Sequence, residues 1–480
     1  MTPEEENAIL KAENTALRAQ VRELPALREQ VTALLARVQE LEAQLGKDSH
    51  NSSKPPSSDG LARKTKSLRR KSGKQPGGQL GHRGETLRLV ATPDDVLEHR
   101  PLVCGACQTL LPDTALVVVR ERRQVQDLPP LRLRVTEHQA LHVCCPACQT
   151  VSVGMFPVEA PSRAQYGPQL RALAVYLVEQ QLVPYGRVRA VFADLFGASL
   201  SLGTLVAWVQ QTAGALDPIE VSVNQALSRV PVLHSDETGV RRAGTLAWAH
   251  VASTDRLTHY AIHTKRGSEA TEAIGILPRF RGVSVHDGWA AYRANANRRH
   301  ALCNIHHLRE LTFVEEQYQQ TWARDLKAVL LEMKVATEQA RTAGRDHLSA
   351  AAREAFVARY QALLAAGHAA NPPPARRPRQ RGRVKQTPAQ NLLERLWLRQ
   401  DQVLAFLDDL TIPFDNNQAE RDLRMLKVQQ TISGAFRSVT GADAFSRIRG
   451  YLSTMHKQGV ALLAALETLF AGQPLYPAFA

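Results

Sequence analysis

At residue 230 the hydrophobic texture of the chain changes, and the stretch that follows restricts the fold more than any other. Val230-Pro-Val-Leu-His-Ser-Asp-Glu-Thr-Gly239 reads as an apolar strand ending at Asp236. Leu246-Ala-Trp-Ala-His-Val-Ala-Ser253 alternates as a second strand, and Leu257-Thr-His-Tyr-Ala-Ile-His263 as a third. The Thr254-Asp-Arg256 connection suits a hairpin turn. Ser268 to Leu277 reads as a helix, and Gly282-Val-Ser-Val-His-Asp-Gly288 as a fourth strand that ends on Asp287.

A three-stranded meander, a helix and a further short strand is the order of an α/β ribonuclease H-like core, in which two acids at the ends of neighbouring strands face each other. After His300-Ala-Leu-Cys-Asn-Ile-His306 the chain to about residue 410 is predominantly helical. The basic run Asn371-Pro-Pro-Pro-Ala-Arg-Arg-Pro-Arg-Gln-Arg-Gly-Arg-Val-Lys385 interrupts it and cannot be helix or strand. Thr411-Ile-Pro-Phe-Asp-Asn-Asn-Gln-Ala-Glu-Arg-Asp-Leu-Arg-Met-Leu-Lys427 then reads as a loop, a cap and the first turns of a helix. Leu423 and Leu426 can face a core, and Glu420 and Lys427, seven apart, share one helix face. Taken singly, Asp236, Asp287 and Glu420 are ordinary strand-end and cap acids, and Glu420 with Lys427 is a solvated pair. In this order, on strand, strand and helix, they are candidates for one site. Two-metal phosphoryl chemistry uses such carboxylates to hold two Mg2+ (or Mn2+) ions about 3.5–4 Å apart. Without metal the carboxylates repel, so the cluster makes sense as a cation cage.

The N-terminal half supplies no further catalytic pattern but several binding ones. Leu10, Leu17, Leu24, Val31, Val38 and Leu45 follow at intervals of seven, and Leu27, Leu34 and Leu41 form a second series. Residues 1–46 therefore read as a coiled coil, with a hairpin packed on its own chain as the alternative. Pro25 should impose a kink or split the segment into two helices in series. Residues 47–90 form a basic linker with little to bury, expected to be flexible, in which Arg69, Arg70, Lys71 and Lys74 could meet phosphates. In residues 91–158, Cys104-Gly-Ala-Cys107 and Cys145-Pro-Ala-Cys148 flank the strand-like runs Ala115–Arg120 and Leu131–Val135. Four thiolates joined by a β-hairpin predict structural Zn2+, with redox work by the pairs as the alternative and Cys144 either a spare thiol or a swapped ligand. Residues 159–229 are helical. Pro184–Gly197, a short turn and a helix capped by Ser201 or Thr204 are compatible with a helix-turn-helix as well as with plain helical packing.

Charge narrows the partners. The 480 residues carry 60 Lys and Arg against 46 Asp and Glu, a net +14, which favours a polyanion, DNA first. The acidic start Pro3-Glu-Glu-Glu-Asn7 is unlike a signal peptide, and no apolar run approaches a membrane span. Six cysteines, four of them in CxxC pairs, suit metal binding in a reducing, cytoplasmic compartment.

The motifs together resemble the DDE transposases of bacterial insertion sequences, of the type numbered sixty-six. Asn51-Ser-Ser-Lys-Pro-Pro-Ser-Ser-Asp59 and Gly77-Gly-Gln-Leu-Gly-His-Arg-Gly84 are similar to that family's N-terminal signatures, and the paired CxxC module to its zinc-binding domain. His234-Ser-Asp-Glu-Thr238, His286-Asp-Gly-Trp-Ala-Ala-Tyr292 and Asp415-Asn-Asn-Gln-Ala-Glu-Arg421 resemble its three catalytic motifs, which makes Asp236, Asp287 and Glu420 the D, D and E. Cys303-Asn-Ile-His306 resembles the (C/D)xxH element found before an inserted helical domain, and Gly434–Gly441 the family's tail. Many DDE enzymes have Arg where this chain has Asn416, which shifts phosphate contacts to Arg421, Arg424 or Lys427. The resemblance implies a core in two parts, 230–314 and 411–480, around a helical insertion at 315–410. It implies end cleavage and strand transfer on DNA by a homodimer or higher assembly. The rivals are a catalytically silent zinc-dependent DNA-binding protein and a ribonuclease H-like nuclease that does not join strands.

Overall fold

A single helix, α1 (Pro3–Leu45), opens the chain and runs through Pro25 without a break. The two helices in series expected from Pro25 do not form. Proline removes one backbone bond, and the Glu-, Leu-, Ala- and Arg-rich turns on either side carry the helix across it. The heptad side chains stay open to solvent, from Leu10 to Leu45. Past the helix end, the buried Asn51 donates to Gly46 O at 3.0 Å and to Glu316 Oε2 at 3.2 Å.

This computed structural model describes residues 2–52, 77, 81, 86–118, 121–293, 298–373, 384 and 386–479. They fall into two compact units, residues 1–68, 138–190 and 200–480, and residues 69–137 with 191–199. Each unit holds one CxxC pair. In the smaller, a Val103–Leu110 bridge frames Cys104–Cys107. In the larger, β1 (His142–Cys144) and β2 (Val151–Val153) pair antiparallel around Cys145–Cys148. The strand-like runs behave otherwise: residues 115–118 and 131–135 are irregular. Alternation gives a segment strand character, but a strand also needs a neighbour for its amides, and among the described residues here the segments flanking the cysteine turns are the ones that have one.

Helices α2 (Pro168–Val175), α3 (Tyr185–Phe196), α4 (Leu202–Ala215) and α5 (Asp217–Leu227) follow, α2 running on into a π-helical turn at Tyr176–Gln180. Ser201 is the residue that caps α4, its hydroxyl accepting the Thr204 N–H at 3.0 Å. The central sheet comprises β3 (Val232–Arg242), β4 (Thr245–Ser253), β5 (Thr258–His263), β6 (Val283–His286) and β7 (Arg299–Leu302), with α6 (Ser268–Ile274) between β5 and β6. Its order is β5-β4-β3-β6-β7, antiparallel among the first three and parallel from β3 through β7. Contrary to the sequence reading, β3 does not end at Asp236. Beyond that residue it keeps its antiparallel partner as far as Arg242–Thr245, closed by Ala243 and Gly244 at positive φ. Only its parallel partner stops, at His234–Val285. β7 was not anticipated; four residues beside His300 are too short to show a period. Gly282 lets β6 start against β3, since a Cβ there would collide with the Pro231 carbonyl.

The remaining helices are α7 (Asn304–Tyr318), α8 (Thr321–Thr342), α9 (Ala350–Ala370), α10 (Pro388–Leu398), α11 (Gln400–Val403), α12 (Ala405–Asp408), α13 (Asn417–Ser433), α14 (Val439–Lys457) and α15 (Leu462–Phe470). Two apolar clusters hold the assembly. One joins Val283, Val285, Ala301 and Leu302 of the parallel strands to α7–α12. The other packs Ala247, Ala249, Val251, Tyr260 and Ile262 against Ala419, Leu423 and Leu426 of α13. A half-buried ion pair, Lys457–Asp422 at 2.9 Å, ties α13 to α14. The segment after α13 returns to the sheet, where Phe436 N–H donates to Arg241 O at 2.9 Å. Among the described residues no helix is long and apolar enough to cross a membrane.

Candidate active site

β3 and β6 set the first two acids side by side. Their parallel register pairs Val232 with Val283, Leu233 with Ser284 and His234 with Val285. Continued two residues, it places Asp236 level with Asp287, on strands spaced about 4.8 Å apart. Asp236 Oδ1 accepts the Glu237 N–H at 2.9 Å, and Asp287 Oδ1 accepts the Trp289 N–H at 2.8 Å. Directly after Asp287 the chain turns away through Gly288, at φ +90. That turn is fixed from below by the buried His286, whose Nδ1 accepts the Gly288 N–H at 2.9 Å. Burial, with His300 and nearby arginines, holds His286 down to about 3, so it is neutral, and its Nε2 proton points at His300 Nδ1, 3.0 Å away.

Glu420 comes from the first turn of α13, whose buried face of Ala419, Leu423 and Leu426 sits on the sheet. Its Oε1 is buried and accepts no hydrogen bond among the described residues. Asp236 registers the crowding. Burial pushes its carboxyl well above the usual range, Glu237 adds to this, and Asp287 and Glu420 repel it further. Asp287 and Glu420 are thus near enough to Asp236 for their charges to act on it.

Asn416, where related enzymes were expected to differ by an arginine, is buried and fully used. Its side chain meets His234 Nδ1 at 2.9 Å and donates to Ser235 O at 2.9 Å, and its backbone N–H points at Cys303 Sγ, 3.2 Å away. It ties α13 to β3 and to the start of α7, and it does not reach a surface where phosphate could bind. Cys303 and His306 lie beside it, and their ligand atoms and that of Glu420 are all within 4.8 Å of one another. Burial, then the Glu420 charge, pushes the Cys303 thiol up to about 12.

Sequence reasoning passed over a second group, built on the other acid of the His234-Ser-Asp-Glu-Thr238 motif. Glu237 Oε1 takes both Nε and Nη2 of Arg266, at 2.9 and 2.7 Å, and its Oε2 accepts the Tyr292 hydroxyl. The Arg266 guanidinium lies between two indoles, 4.7 Å from the Trp248 ring centre and 4.3 Å from that of Trp289. Since the Trp289 N–H holds Asp287, this group braces the loop that presents the second acid. The signal was present in Trp289 and Tyr292 of the Asp287 motif, but Arg266 lies in a turn with no pattern of its own.

The predicted cations divide. Lys427 Nζ donates to Gly239 O at 3.1 Å, and partial burial lowers its pKa. Arg421 and Arg424 are exposed on α13, Arg421 bonded to Gln418 at 2.8 Å. Arg69, Arg70, Lys71 and Lys74 lie outside the described residues, as does most of the basic run at 371–385.

The two CxxC turns are local twins in two different units. In each, the residue after the second cysteine has positive φ (Gln108 +58, Gln149 +59) and the first cysteine N–H reaches a threonine carbonyl at 2.9 Å. Cys107 Sγ lies 3.3 Å from Thr109 Oγ1 and Cys148 Sγ 3.3 Å from Thr150 Oγ1. Hydrogen bonds from Thr109 lower the Cys107 thiol to about 7, and those from Thr150 lower Cys148 likewise. All six thiols are free of disulfides.

Comparison with known proteins adds three findings. A family model described as transposase IS66 family matches residues 163–444. A family of unknown function (DUF6444) matches residues 1–88. A Sinorhizobium fredii (strain NBRC 101917 / NGR234) protein, described as uncharacterized protein y4jD, is 24% identical over 403 residues, spanning 76% of this chain and 74% of its own.

Proposed function

The chain belongs to the IS66 transposase family, and on that premise we propose that it cleaves the ends of an insertion sequence and joins them to target DNA at Asp236, Asp287 and Glu420. The observation that carries this reading is the β3–β6 register, which continued two residues puts Asp236 level with Asp287, with Glu420 close enough to raise the pKa of Asp236. The sheet order, an antiparallel meander followed by two parallel strands, supports a ribonuclease H-like core.

The residues fit a pair of hard divalent ions. Each aspartate has one oxygen fixed by a backbone amide, which orients its second, and Glu420 Oε1 is a buried acceptor with nothing to accept. Asp236, Asp287 and Glu420 would hold Mg2+ or Mn2+. When bound, such ions supply activation of the attacking oxygen and stabilisation of the leaving one. The chain's own part is positional: β3 and β6 fix the aspartates, and α13 carries the glutamate on a packed face. Lys427, Arg421 and Arg424 are proposed to meet DNA phosphate, with Arg69, Arg70, Lys71 and Lys74. Cys104 with Cys107, and Cys145 with Cys148, offer thiolate pairs of the kind structural zinc takes. The open heptad face of α1 would pair two copies in the synaptic complex. The same reading places the protein in the cytoplasm.

The test is end cleavage and joining with Asp236→Asn, Asp287→Asn and Glu420→Gln. Each is expected to lose cleavage by about a thousandfold or more while end binding persists. Cleavage at the parental rate by any of the three overturns the site. Binding without cleavage by the parent protein would indicate a silent DNA-binding protein, and cleavage without joining a nuclease.

A further inference from the structure

We propose that Cys303, His306 and Glu420 form a separate site for one thiophilic divalent cation, zinc above all, which shares Glu420 with the carboxylate cluster. The three ligand atoms lie within 4.8 Å of one another, one sulfur, one imidazole nitrogen and one carboxylate oxygen. A tetrahedral zinc ion holds such atoms about 3.3–3.8 Å apart, so the group closes on an ion with side-chain adjustments of about 1 Å. Cys303 is the extended cap residue immediately before α7, and His306 lies in that helix's first turn. Glu420 meets them from the first turn of α13.

Two independent observations point to a missing ligand. His306 Nδ1 and Glu420 Oε1 are both buried, and neither has a hydrogen-bond partner among the described residues. Two polar atoms left unpaired in a protein interior are costly unless a ligand or ion takes them up, and Nδ1 of neutral imidazole in its Nε2–H tautomer is such a ligand atom. Cys303 is buried too, and its sulfur accepts the Asn416 N–H at 3.2 Å, which fixes its position beside the other two ligands. Binding transfers the Cys303 proton to solvent and leaves the sulfur as a ligand.

The donor set decides the ion. Thiolate and imidazole select zinc over magnesium, whereas the all-oxygen cluster of Asp236, Asp287 and Glu420 suits magnesium. With Glu420 common to both, filling the Cys303–His306 site draws that carboxylate away from the aspartates. The binding claim stands without the transposition reading, and only this last consequence rests on it.

The experiment uses the full chain, stripped of metal and reloaded with zinc under excess Mg2+, with no DNA present. Zinc content and thermal stability are measured for the parent and for Cys303→Ser, His306→Gln and Glu420→Gln. Each variant is expected to hold one zinc equivalent fewer than the parent. Each should also show a smaller zinc-induced rise in melting temperature. Equal zinc content in the parent and in a folded variant overturns the site and leaves the carboxylate reading untouched. Should Cys303→Ser fail to fold, the half-buried His306 and the near-isosteric Glu420→Gln decide the question.

Discussion

On one face of β3, Glu237 gives both of its oxygens to partners, Arg266 and Tyr292, while on the other face its neighbour Asp236 meets mainly other carboxylates. Glu237 is buried and Asp236 half-buried, and both have raised pKa values, but for Glu237 the hydrogen bonds of Tyr292 and Arg266 work against the burial. The first is a closed arrangement that holds shape. The second stays unfavourable until a cation arrives. Adjacent acids of the same motif thus serve opposite ends, and sequence position alone does not separate them.

The largest effect on stability should come from the closed side. Glu237→Ala strands the Tyr292 hydroxyl in the core and frees Arg266 from between its indoles. Arg266 is partly exposed and can recover water, so the expected loss is roughly 2–3 kcal/mol in urea denaturation rather than the full cost of a broken buried pair. Asp236→Asn, one residue away, should leave the metal-free protein as stable as the parent or more so. Equal losses for the two variants would erase the distinction between the faces.

Much of this was legible beforehand, for reasons of period and spacing. Four of the five sheet strands show in their apolar runs, and α13 shows in Ala419, Leu423 and Leu426, which are buried as their spacing requires. The family motifs grouped Asp236, Asp287 and Glu420, and in the fold the charges of Asp287 and Glu420 both act on the Asp236 carboxyl. What escaped has tertiary causes. β3 outruns Asp236 because β4 continues to pair with it, and that partner is invisible from within β3. Ala115–Val118 and Leu131–Val135 have strand composition but no strand neighbour among the described residues. Asn416 looked like a lost phosphate clamp and is a buried tie between three elements, a role set by residues more than a hundred positions away.

A smaller effect follows from pH. Asp236 has a folded pKa above its unfolded value, so its contribution to stability is fully present below the ordinary carboxylate range and is lost as pH rises through the folded value. The buried Glu179, pushed up to about 8 by desolvation, acts in the same sense between the ordinary range and pH 8. In EDTA these two carboxyls work against stability from pH 5 to pH 8, opposing the gain from the buried His250, His286 and His307, whose lowered pKa values act the other way. Asp236→Asn should make the slope more positive by at most one proton, about 1.4 kcal/mol per pH unit. Mg2+ should stabilise the parent and not the variant. Identical slopes for parent and variant would mean that Asp236 is not held in the repulsive cluster.

The smallest effect belongs to Lys427, which sits between the two roles. Its Nζ donates to Gly239 O at 3.1 Å, a bond that a purely structural lysine would also make. It also shares the exposed side of α13 with Arg421 and Arg424. If its charge meets DNA phosphate, Lys427→Ala should lower the slope of log binding constant against log salt by about 0.9, with little dependence on DNA sequence. If it serves only to pin α13 to β3, the slope stays at the parental value and the variant instead loses about 1 kcal/mol of stability. The two readouts move independently, so the pair of measurements assigns Lys427 to the bracing side of the molecule or to the DNA-facing side.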